Sequence, residues 1–332
     1  MAGNKSYKSA YPIKKAMRKG TKMAEITLEE LNRLADFPEK TIEESEKEYH
    51  DKIFSLASRI ISDDKIKLVL LAGPSGSGKT TTANLIADAL RSQGEEAMVV
   101  SLDNYYLDSD DGNYPRLENG ELDYECPEAL DLRLLEKSLS NITKGLPFTV
   151  PKYEFKSGKR VSSQEYTVSS HSCVIIEGLH ALNPKIHQNL DKSKLLKLFV
   201  SVSTNVNEGD ERILSGRKAR FVRRLVRDSI YRGANAERTL TFWQAVLAAE
   251  DIYLYPYKED ADLSFNTFHS FELSVMKPFA EKLISKSLAE GNAYAKTVIC
   301  ALNKIKAIDY ALVPENSLIR EFIPGGIYES LY

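Results

Sequence analysis

The stretch from residue 68 to residue 82 limits the fold of this chain more than any other, because an uncharged apolar run leads directly into a glycine-rich loop. The apolar run LVLLA, residues 68–72, predicts a strand that is buried on both faces. The loop GPSGSGKT, residues 73–80, fits the phosphate-binding pattern GxxxxGK followed by Ser or Thr. Apolar residues at helical spacing follow, and Gly94 could end that helix. Strand, loop and helix thus stand in the order that a phosphate-binding loop requires.

The residue types in this loop are those that bind a nucleoside triphosphate. Glycines let backbone N–H groups turn toward an anion, Lys79 can reach the β- and γ-phosphates, and the Thr80 hydroxyl can bind Mg²⁺. The residues that we assign to nucleotide binding are Gly73, Ser75, Gly76, Ser77, Gly78, Lys79, Thr80 and Thr81. The pattern indicates ATP or GTP binding and leaves the reaction open.

Length and composition fit an α/β enzyme. A chain of 332 residues can form one large domain with additions or two small domains, and we favour a single core with additions. The net charge of −2 and the lack of a long apolar segment give no indication of a membrane protein or of a general affinity for nucleic acid. Cys126, Cys173 and Cys300 are odd in number and widely separated, which fits neither a disulfide framework nor a metal cluster. We therefore expect a cytoplasmic protein.

The two ends of the chain are predicted to be additions to the core. The first 24 residues hold seven Lys or Arg residues and no acid, which predicts a solvated tail, with a targeting leader or a polyanion-binding arm as alternatives. Thr27 and Thr41 each begin a capping box, so we expect a helix to open at each, the second being longer. We assign residues 1–62 to a basic tail and helical lead-in, 63–270 to the core, and 271–332 to a helical C-terminal extension.

Further apolar runs predict the remaining strands of a parallel sheet that is flanked by helices: 97–102, 173–176, 196–202 and 261–266. We expect the first two of these strands to be buried. Asp103 follows the first of these runs and Glu177 follows the second. Ligands gather at the carboxyl ends of parallel strands, so both acids are expected near the phosphates. Asp103 can accept a proton or bind Mg²⁺, and Glu177 can bind Mg²⁺. A role for Asp103 as a turn former is the structural alternative.

Two further segments have unusual compositions. Residues 104–165 form a polar insertion, rich in Tyr, Asp and Lys, that can build an acceptor pocket. Residues 212–238 are rich in arginine. Helical spacing places four of these arginines on one side of a helix, which is therefore strongly positive: Arg220, Arg223, Arg224 and Arg227. We predict a lid that closes on phosphates, with a solvated, ion-paired helix as the alternative. Nucleic-acid binding is a weaker alternative, because no aromatic residues alternate with the arginines.

Several short sequence blocks between residues 65 and 270, taken in their order along the chain, resemble the uridine kinase and phosphoribulokinase family of P-loop kinases. The matching blocks are GPSGSGKTT (73–81), SLDNYY (101–106), DYECPEALD (123–131), PKYEF (151–155), VIIEGL (174–179) and RRLVRD (223–228). The chain is also similar to a bacterial subgroup of uridine kinases in three further blocks: YEFKSGKR (153–160), EGLHALNP (177–184) and NSLIREFIPGG (316–326).

The resemblance implies a kinase that uses ATP and Mg²⁺ to phosphorylate a nucleoside 5′-hydroxyl. It implies that Asp103 takes the hydroxyl proton and that Glu177 lies beside the magnesium ion. The acceptor site would be lined by Asp103, Tyr106, Glu125, Tyr153 and Arg160, and the catalytic cations would be Lys79, Arg223, Arg224 and Arg227. A kinase of a phosphosugar or of pantothenate, and a P-loop NTPase that handles nucleic acid, are the alternatives. The sequence leaves the oligomeric state open, and a homo-oligomer is one of the alternatives.

The chain departs from the family pattern at three positions. Glu125 replaces the usual Asp that holds the ribose hydroxyls, and Ala234 replaces the second arginine of the RGR block in the lid. Gly158 stands where well-known uridine kinases have a histidine that reads the pyrimidine. Because glycine offers no donor to a base edge, we expect loose selectivity among nucleoside bases.

Overall fold

The structure is a computed structural model that describes residues 23–118, 120–169 and 172–331. The segment predicted as a basic tail lies, as far as residue 22, outside the described residues. The strands are β1 (Ala24–Thr27), β2 (Leu68–Ala72), β3 (Glu96–Ser101), β4 (Phe148–Glu154), β5 (Lys159–Tyr166), β6 (Ser172–Glu177), β7 (Leu195–Ser201), β8 (Thr204–Glu208), β9 (Glu211–Leu214) and β10 (Leu263–Asn266). The helices are α1 (Leu28–Ala35), α2 (Pro38–Ser62), α3 (Lys79–Ser92), α4 (Leu132–Lys144), α5 (Pro184–His187), α6 (Gly216–Arg232), α7 (Ala236–Tyr253), α8 (Glu272–Leu283), α9 (Lys286–Gly291) and α10 (Ala293–Asn303).

A five-stranded parallel sheet lies at the centre of the molecule, in the order β10-β7-β2-β6-β3. Strand β2 is central and all five of its residues are buried, as the apolar run predicts. The predicted α/β fold with a parallel sheet flanked by helices is confirmed. The prediction of a buried second strand is wrong in one respect, since β3 is an edge strand and Val100 is its one buried residue. An edge strand has a neighbour on one side only, which leaves its other residues partly exposed.

The start of α2 differs from the sequence prediction. Thr27 caps α1 as expected, because its side chain accepts a hydrogen bond from the Glu30 N–H at 3.1 Å. Helix α2 begins at Pro38 and not at Thr41, and its first-turn proline has the fixed φ that suits a helix start. The Thr41 hydroxyl instead donates to the Leu34 carbonyl at 2.8 Å, which ties α2 to the end of α1.

Two smaller sheets were not predicted. Strands β1, β8 and β9 form one of them, in which β1 runs parallel to β8 and β8 runs antiparallel to β9. Strands β4 and β5 form an antiparallel hairpin within the polar insertion. The lead-in is therefore a strand followed by two helices, and not helical throughout.

Alternate residues of β2 point to opposite faces of the sheet and enter two hydrophobic clusters. Leu68 and Leu70 pack in the cluster on the side of α4 and α5. Val69 and Leu71 pack in the larger cluster, which also holds apolar residues of α2, α3, α6, α8, α10 and the stretch 318–323. Helix α2 and the described residues after 271 thus contribute to the cover on one face of the sheet. The proposed boundaries at residues 62 and 270 stay a prediction. Within the described part of the chain, no helix has both the length and the apolar character needed to cross a membrane.

Candidate active site

The loop between β2 and α3 has the backbone conformation that its glycines predict. Gly76 and Gly78 have φ values of 71° and 85°, a region that favours glycine. A Cβ atom on Gly76 would also lie 2.9 Å from the carbonyl oxygen of Arg220, so a side chain there would displace α6. Lys79 begins α3, and its Nζ donates to the Pro74 carbonyl at 3.3 Å, which bends the cation back over the loop.

One buried ion pair supports this loop at Ser75. Arg220 and Glu250 are joined by two hydrogen bonds of 2.8 Å, and each side chain is 1% exposed. Arg220 also donates to the Ser75 carbonyl at 2.7 Å, and Glu250 accepts from the Ser75 N–H at 2.8 Å. The pair therefore bonds both backbone groups of one loop residue.

A second buried pair supports the next turn of the loop. Arg223 donates to the two Glu272 carboxylate oxygens at 2.9 and 2.6 Å, and neither side chain is exposed. The Arg223 guanidinium also donates to the carbonyls of Gly76 at 3.3 Å and Thr267 at 2.7 Å. The Thr267 hydroxyl donates to the Ser77 carbonyl at 2.7 Å. These contacts fix the shape of the loop.

Helix α6 holds the predicted lid arginines in different surroundings. Its apolar face is buried, so α6 packs as a core helix in this structure. Arg223 lies in the buried pair just described, and Arg227 is bonded to Asp228 at 2.8 Å. Arg224 lies at the loop, where its Nη1 donates to the Ser75 Oγ at 2.8 Å. Beside it is a cavity of about 160 Å³, lined by Arg224, Asp228, Arg232, Ala234, Arg238, Thr239 and Phe242.

These surroundings predict different effects for two neighbouring arginines. Arg223→Ala should lower the free energy of unfolding by about 3–5 kcal/mol, because it leaves the Glu272 carboxylate buried without its cation. Arg224→Ala should change stability little, because Asp228 loses one ion pair but keeps its ion pair with Arg227. The same substitution should lower kcat roughly tenfold or more. Urea unfolding and steady-state kinetics measure the two effects, with the half-exposed Arg217→Ala as the control. Equal stability losses in both variants would contradict this division of roles.

Two carboxylates lie close to Lys79 and Thr80 at the carboxyl ends of the strands. Glu177 ends β6, and the Thr80 hydroxyl donates to its Oε1 at 3.4 Å. Burial raises the pKa of Glu177 to about 7, although the Lys79 charge favours the ionised form. Asp103 lies in a short 3-10 helix after β3 and is open to solvent on one side. The protein around it partly desolvates the carboxylate and raises its pKa, which Lys79 and Arg232 oppose.

This set of oxygen ligands fits Mg²⁺. The Thr80 hydroxyl and the two carboxylates are hard ligands, and the raised pKa of Glu177 indicates a site that a cation would stabilise. No group of three or more His, Cys, Asp or Glu able to hold a metal occurs among the described residues. Magnesium in kinases is commonly held by one or two carboxylates together with substrate phosphates, and this site offers two carboxylates.

Glu177→Gln should stabilise the protein in a pH-dependent way when no divalent cation is present. The folded state holds the Glu177 proton with a pKa of about 7 against an ordinary value of 4.5, so ionising the group disfavours folding. The stability of the wild type relative to the variant should fall as pH rises from 4.5 to 7. The total change should be on the order of 1–3 kcal/mol, with the full cost present above pH 7. A stability difference between wild type and variant that does not vary with pH across this window would contradict the raised pKa of Glu177.

The insertion brings several predicted acceptor residues together. Tyr106, Tyr153 and Phe155 form an aromatic cluster with ring centroids 5.2–5.8 Å apart. Glu125 is half-buried, and burial raises its pKa while the charge of Arg224 favours the ionised form. Burial raises the pKa of the Tyr106 hydroxyl, and the negative charges of Asp103 and Glu125 raise it further, so the three groups lie close enough to interact electrostatically.

Arg160 and Gly158 have structural contacts that the motif did not reveal. The Arg160 guanidinium donates to the Tyr106 carbonyl at 2.8 Å and to the Asp131 carboxylate at 3.0 Å, so it holds the start of the insertion. Its predicted contact with the acceptor stays a prediction. Gly158 lies between β4 and β5 with a φ of 67°, and a Cβ atom there would lie 2.6 Å from the Ser109 Oγ. A histidine at this position would strain the turn.

Sequence reasoning missed three acids that shape the loop. Glu250 and Glu272 lie 30 and 49 residues from their arginines, and no local pattern marks them as partners. Glu321 accepts a hydrogen bond from the Thr81 hydroxyl at 2.8 Å. The terminal block 316–326 was a signal for Glu321, because it was a matching block without an assigned role.

Known proteins resemble the chain over this same region. The family model described as Phosphoribulokinase / Uridine kinase family matches residues 68–274. A uridine kinase of Deinococcus deserti is 31% identical over 194 residues, which are 58% of this chain and 84% of the relative. A uridine kinase of Mycoplasma genitalium is 28% identical over 233 residues, or 69% of this chain and 100% of the relative. A solved structure, a possible uridine kinase from Bacillus stearothermophilus, has a TM-score of 0.43 and 20% identity, covering 66% of this chain and 99% of that chain. The chain belongs to the phosphoribulokinase / uridine kinase family.

Proposed function

We propose that the protein transfers the γ-phosphoryl group of ATP to the 5′-hydroxyl of a nucleoside, with Mg²⁺ as cofactor. The observation that carries the proposal is the position of Asp103 just after β3, where the Lys79 charge of the phosphate loop acts on its carboxylate and its own charge acts on Tyr106 of the insertion. A base between a phosphate site and an acceptor cleft is the arrangement that phosphoryl transfer to a hydroxyl requires. Relatives named uridine kinase support the choice of a nucleoside.

The mechanism needs positioning, charge and one proton transfer. The loop N–H groups and Lys79 bind the phosphates, and Arg224 adds a cation beside Ser75. Thr80 and Glu177 would hold Mg²⁺, which neutralises charge on the β- and γ-phosphate oxygens when it is bound. Asp103 accepts the proton of the attacking hydroxyl, and its raised pKa makes it a stronger base than an ordinary carboxylate.

The charge of the acceptor cleft favours a nucleoside over a phosphosugar or pantothenate. Asp103 and Glu125 are both acids, and Arg224 is the cation whose charge acts on Glu125. An anionic acceptor would be repelled by the two carboxylates, whereas ribose hydroxyls can donate hydrogen bonds to them. The aromatic cluster offers apolar surface for a base. The buried, paired state of Arg220 and Arg223 also argues against a nucleic-acid surface on α6.

A nucleoside panel tests the proposal. ADP release should stay near background until a nucleoside is added, and kcat/KM for uridine, cytidine and a purine nucleoside should lie within roughly 10²-fold of one another. Gly158 supplies no donor to a base edge, so the pocket lacks the group that would enforce greater discrimination at that position. Activity confined to a phosphosugar or pantothenate would overturn the nucleoside assignment. Selectivity for one pyrimidine above roughly 10⁴-fold would contradict the expected loose selectivity.

We also propose a cytoplasmic location. The three cysteines are free thiols in the structure, with Cys126 and Cys173 buried and Cys300 exposed. Free thiols in a chain of this size are typical of a reducing compartment.

A further inference from the structure

The C-terminal part of the chain contacts the phosphate loop directly. We define the terminal segment as residues 317–323, all of which are buried. The Leu318 side chain lies against Gly78, where a Cβ atom would be 2.8 Å from the Leu318 Cδ1. The Phe322 ring lies 5.0 Å from the guanidinium carbon of Arg223, the residue that bonds the Gly76 carbonyl. The terminal segment therefore forms one wall behind the loop.

Glu321 adds a polar contact to this wall. Its Oε2 accepts a hydrogen bond from the Thr81 hydroxyl at 2.8 Å and a longer one from the Thr81 N–H at 3.4 Å. Its other oxygen lies 3.9 Å from Arg227 Nη1. Thr81 belongs to the first turn of α3, where N–H groups lack an acceptor within the helix and commonly face an anion.

The N-terminal lead-in holds the same turn from another side. The Thr82 hydroxyl donates to the Gly78 carbonyl at 2.6 Å, and the Tyr49 hydroxyl on α2 lies 2.7 Å from the Thr82 Oγ1. The lead-in and the terminal segment are themselves joined by a hydrogen bond from Ser317 to Glu46. The lead-in and the terminal segment both lie outside residues 68–274, which the family model matches, and they meet at the first turn of α3.

We propose that the terminal segment is a fixed part of the ATP site and that Glu321 is a positioning residue, which orients Thr81 and thereby sets the affinity for ATP. This inference rests on the proposed kinase function and extends it to the terminal segment, which lies in a matching block that had no assigned role. Lys79 and Asp103 act on phosphate and acceptor, whereas Glu321 acts through Thr81.

The packing of the segment favours a fixed wall over a competing plug. A plug that yields to ATP has to leave its site readily, but Leu318, Ile319, Phe322 and Ile323 have no exposed surface. Arg320 also donates to the carbonyls of Val313 and Pro324, which ties the segment to the chain on both sides of it. Displacing it would expose these apolar side chains to water, at a cost that ATP binding would have to offset.

The experiment compares ATP affinity in variants of the Glu321–Thr81 contact. Glu321→Ala and Thr81→Val should each raise the KM for ATP about tenfold, the scale of one lost hydrogen bond to a charged group, while acceptor KM stays within about threefold. The double variant should be no weaker than either single variant, because both remove the same contact. Glu321→Gln and Thr81→Ser should restore near-normal KM, since each keeps the hydrogen-bonding atom. The control is Glu315→Gln, an exposed carboxylate just before the segment.

Two outcomes would overturn the inference. Tighter ATP binding by Glu321→Ala would mean that the carboxylate competes with the nucleotide. An unchanged KM with a lowered Tm would mean that the contact serves stability alone. If Glu321→Ala does not fold, the Thr81→Val and Thr81→Ser pair decides the question by itself. The proposed kinase function fails separately, through a Lys79→Ala variant that keeps its turnover.

Discussion

Lys79→Ala will reduce turnover by roughly 10³-fold or more and weaken ATP binding, while the protein stays folded. Among the described residues, the Lys79 Nζ makes one long hydrogen bond, to the Pro74 carbonyl at 3.3 Å, and no ion pair, so its removal should cost little stability. Its function is electrostatic, because a compact cation beside the phosphates cannot be replaced by backbone N–H groups alone. Loss of its charge should also raise the pKa of Glu177 and Asp103 further, since Lys79 favours the ionised form of both.

The measurement pairs steady-state kinetics with calorimetric binding of a non-hydrolysable ATP analogue. Lys65→Ala is a matched control, since Lys65 is exposed and lies just ahead of β2. The control should keep wild-type turnover and affinity. Turnover of Lys79→Ala within threefold of the wild type would be incompatible with the phosphate-loop assignment.

The loop could be predicted from sequence because its information is local. Five apolar residues, two glycines with left-handed backbone and the start of a helix lie within 15 consecutive positions, so strand, loop and helix follow from nearest neighbours. Asp103 and Glu177 could be placed near the loop for a related reason. Glu177 ends one strand of the parallel sheet, and Asp103 lies in the short helix that follows another. The carboxyl ends of parallel strands lie at the same edge of the sheet.

The surroundings of the α6 arginines could not be predicted, because their partners are distant in the chain. The apolar positions Phe221, Val222 and Leu225 are present in the sequence, but the excess of positive charge indicated a lid that closes on phosphates. Glu272, which neutralises Arg223, lies at the start of α8, 49 residues away. The charge pattern of a sequence segment describes that one helix alone. Whether a charged side chain is buried depends on partners that the whole fold brings to it.

Short strands escaped prediction for the same physical reason. Strand β1 has four residues, too few for an alternating pattern, and its partner β8 begins at Thr204. Pairing of this kind is set by tertiary packing more than by local propensity. The start of α2 failed differently, because a capping-box pattern at Thr41 competed with Pro38, which suits the first turn of a helix better.

Asp103→Asn should lower kcat by roughly 10²-fold or more while ATP binding and stability change little. Asparagine keeps the shape of the side chain but cannot take a proton from the acceptor hydroxyl. Asp103 is open to solvent on one side, and its pKa is raised by partial desolvation, so removing the charge relieves a cost and should not unfold the protein. Asp110→Asn is the matched control, a nearby exposed carboxylate in a surface ion pair with Lys159.

The pH dependence separates a base from a binding group. If Asp103 is the base, wild-type kcat should fall as pH drops through its pKa, which lies above the ordinary range of about 4 for aspartate, because protonation removes the acceptor. The Asn variant should lack this decline and keep a low rate that is flat in the same range. If instead kcat is unchanged and only the acceptor KM rises, Asp103 binds the acceptor without moving a proton. In that case the phosphate loop, with Lys79 and Thr80, would keep its role and the reaction would need another base.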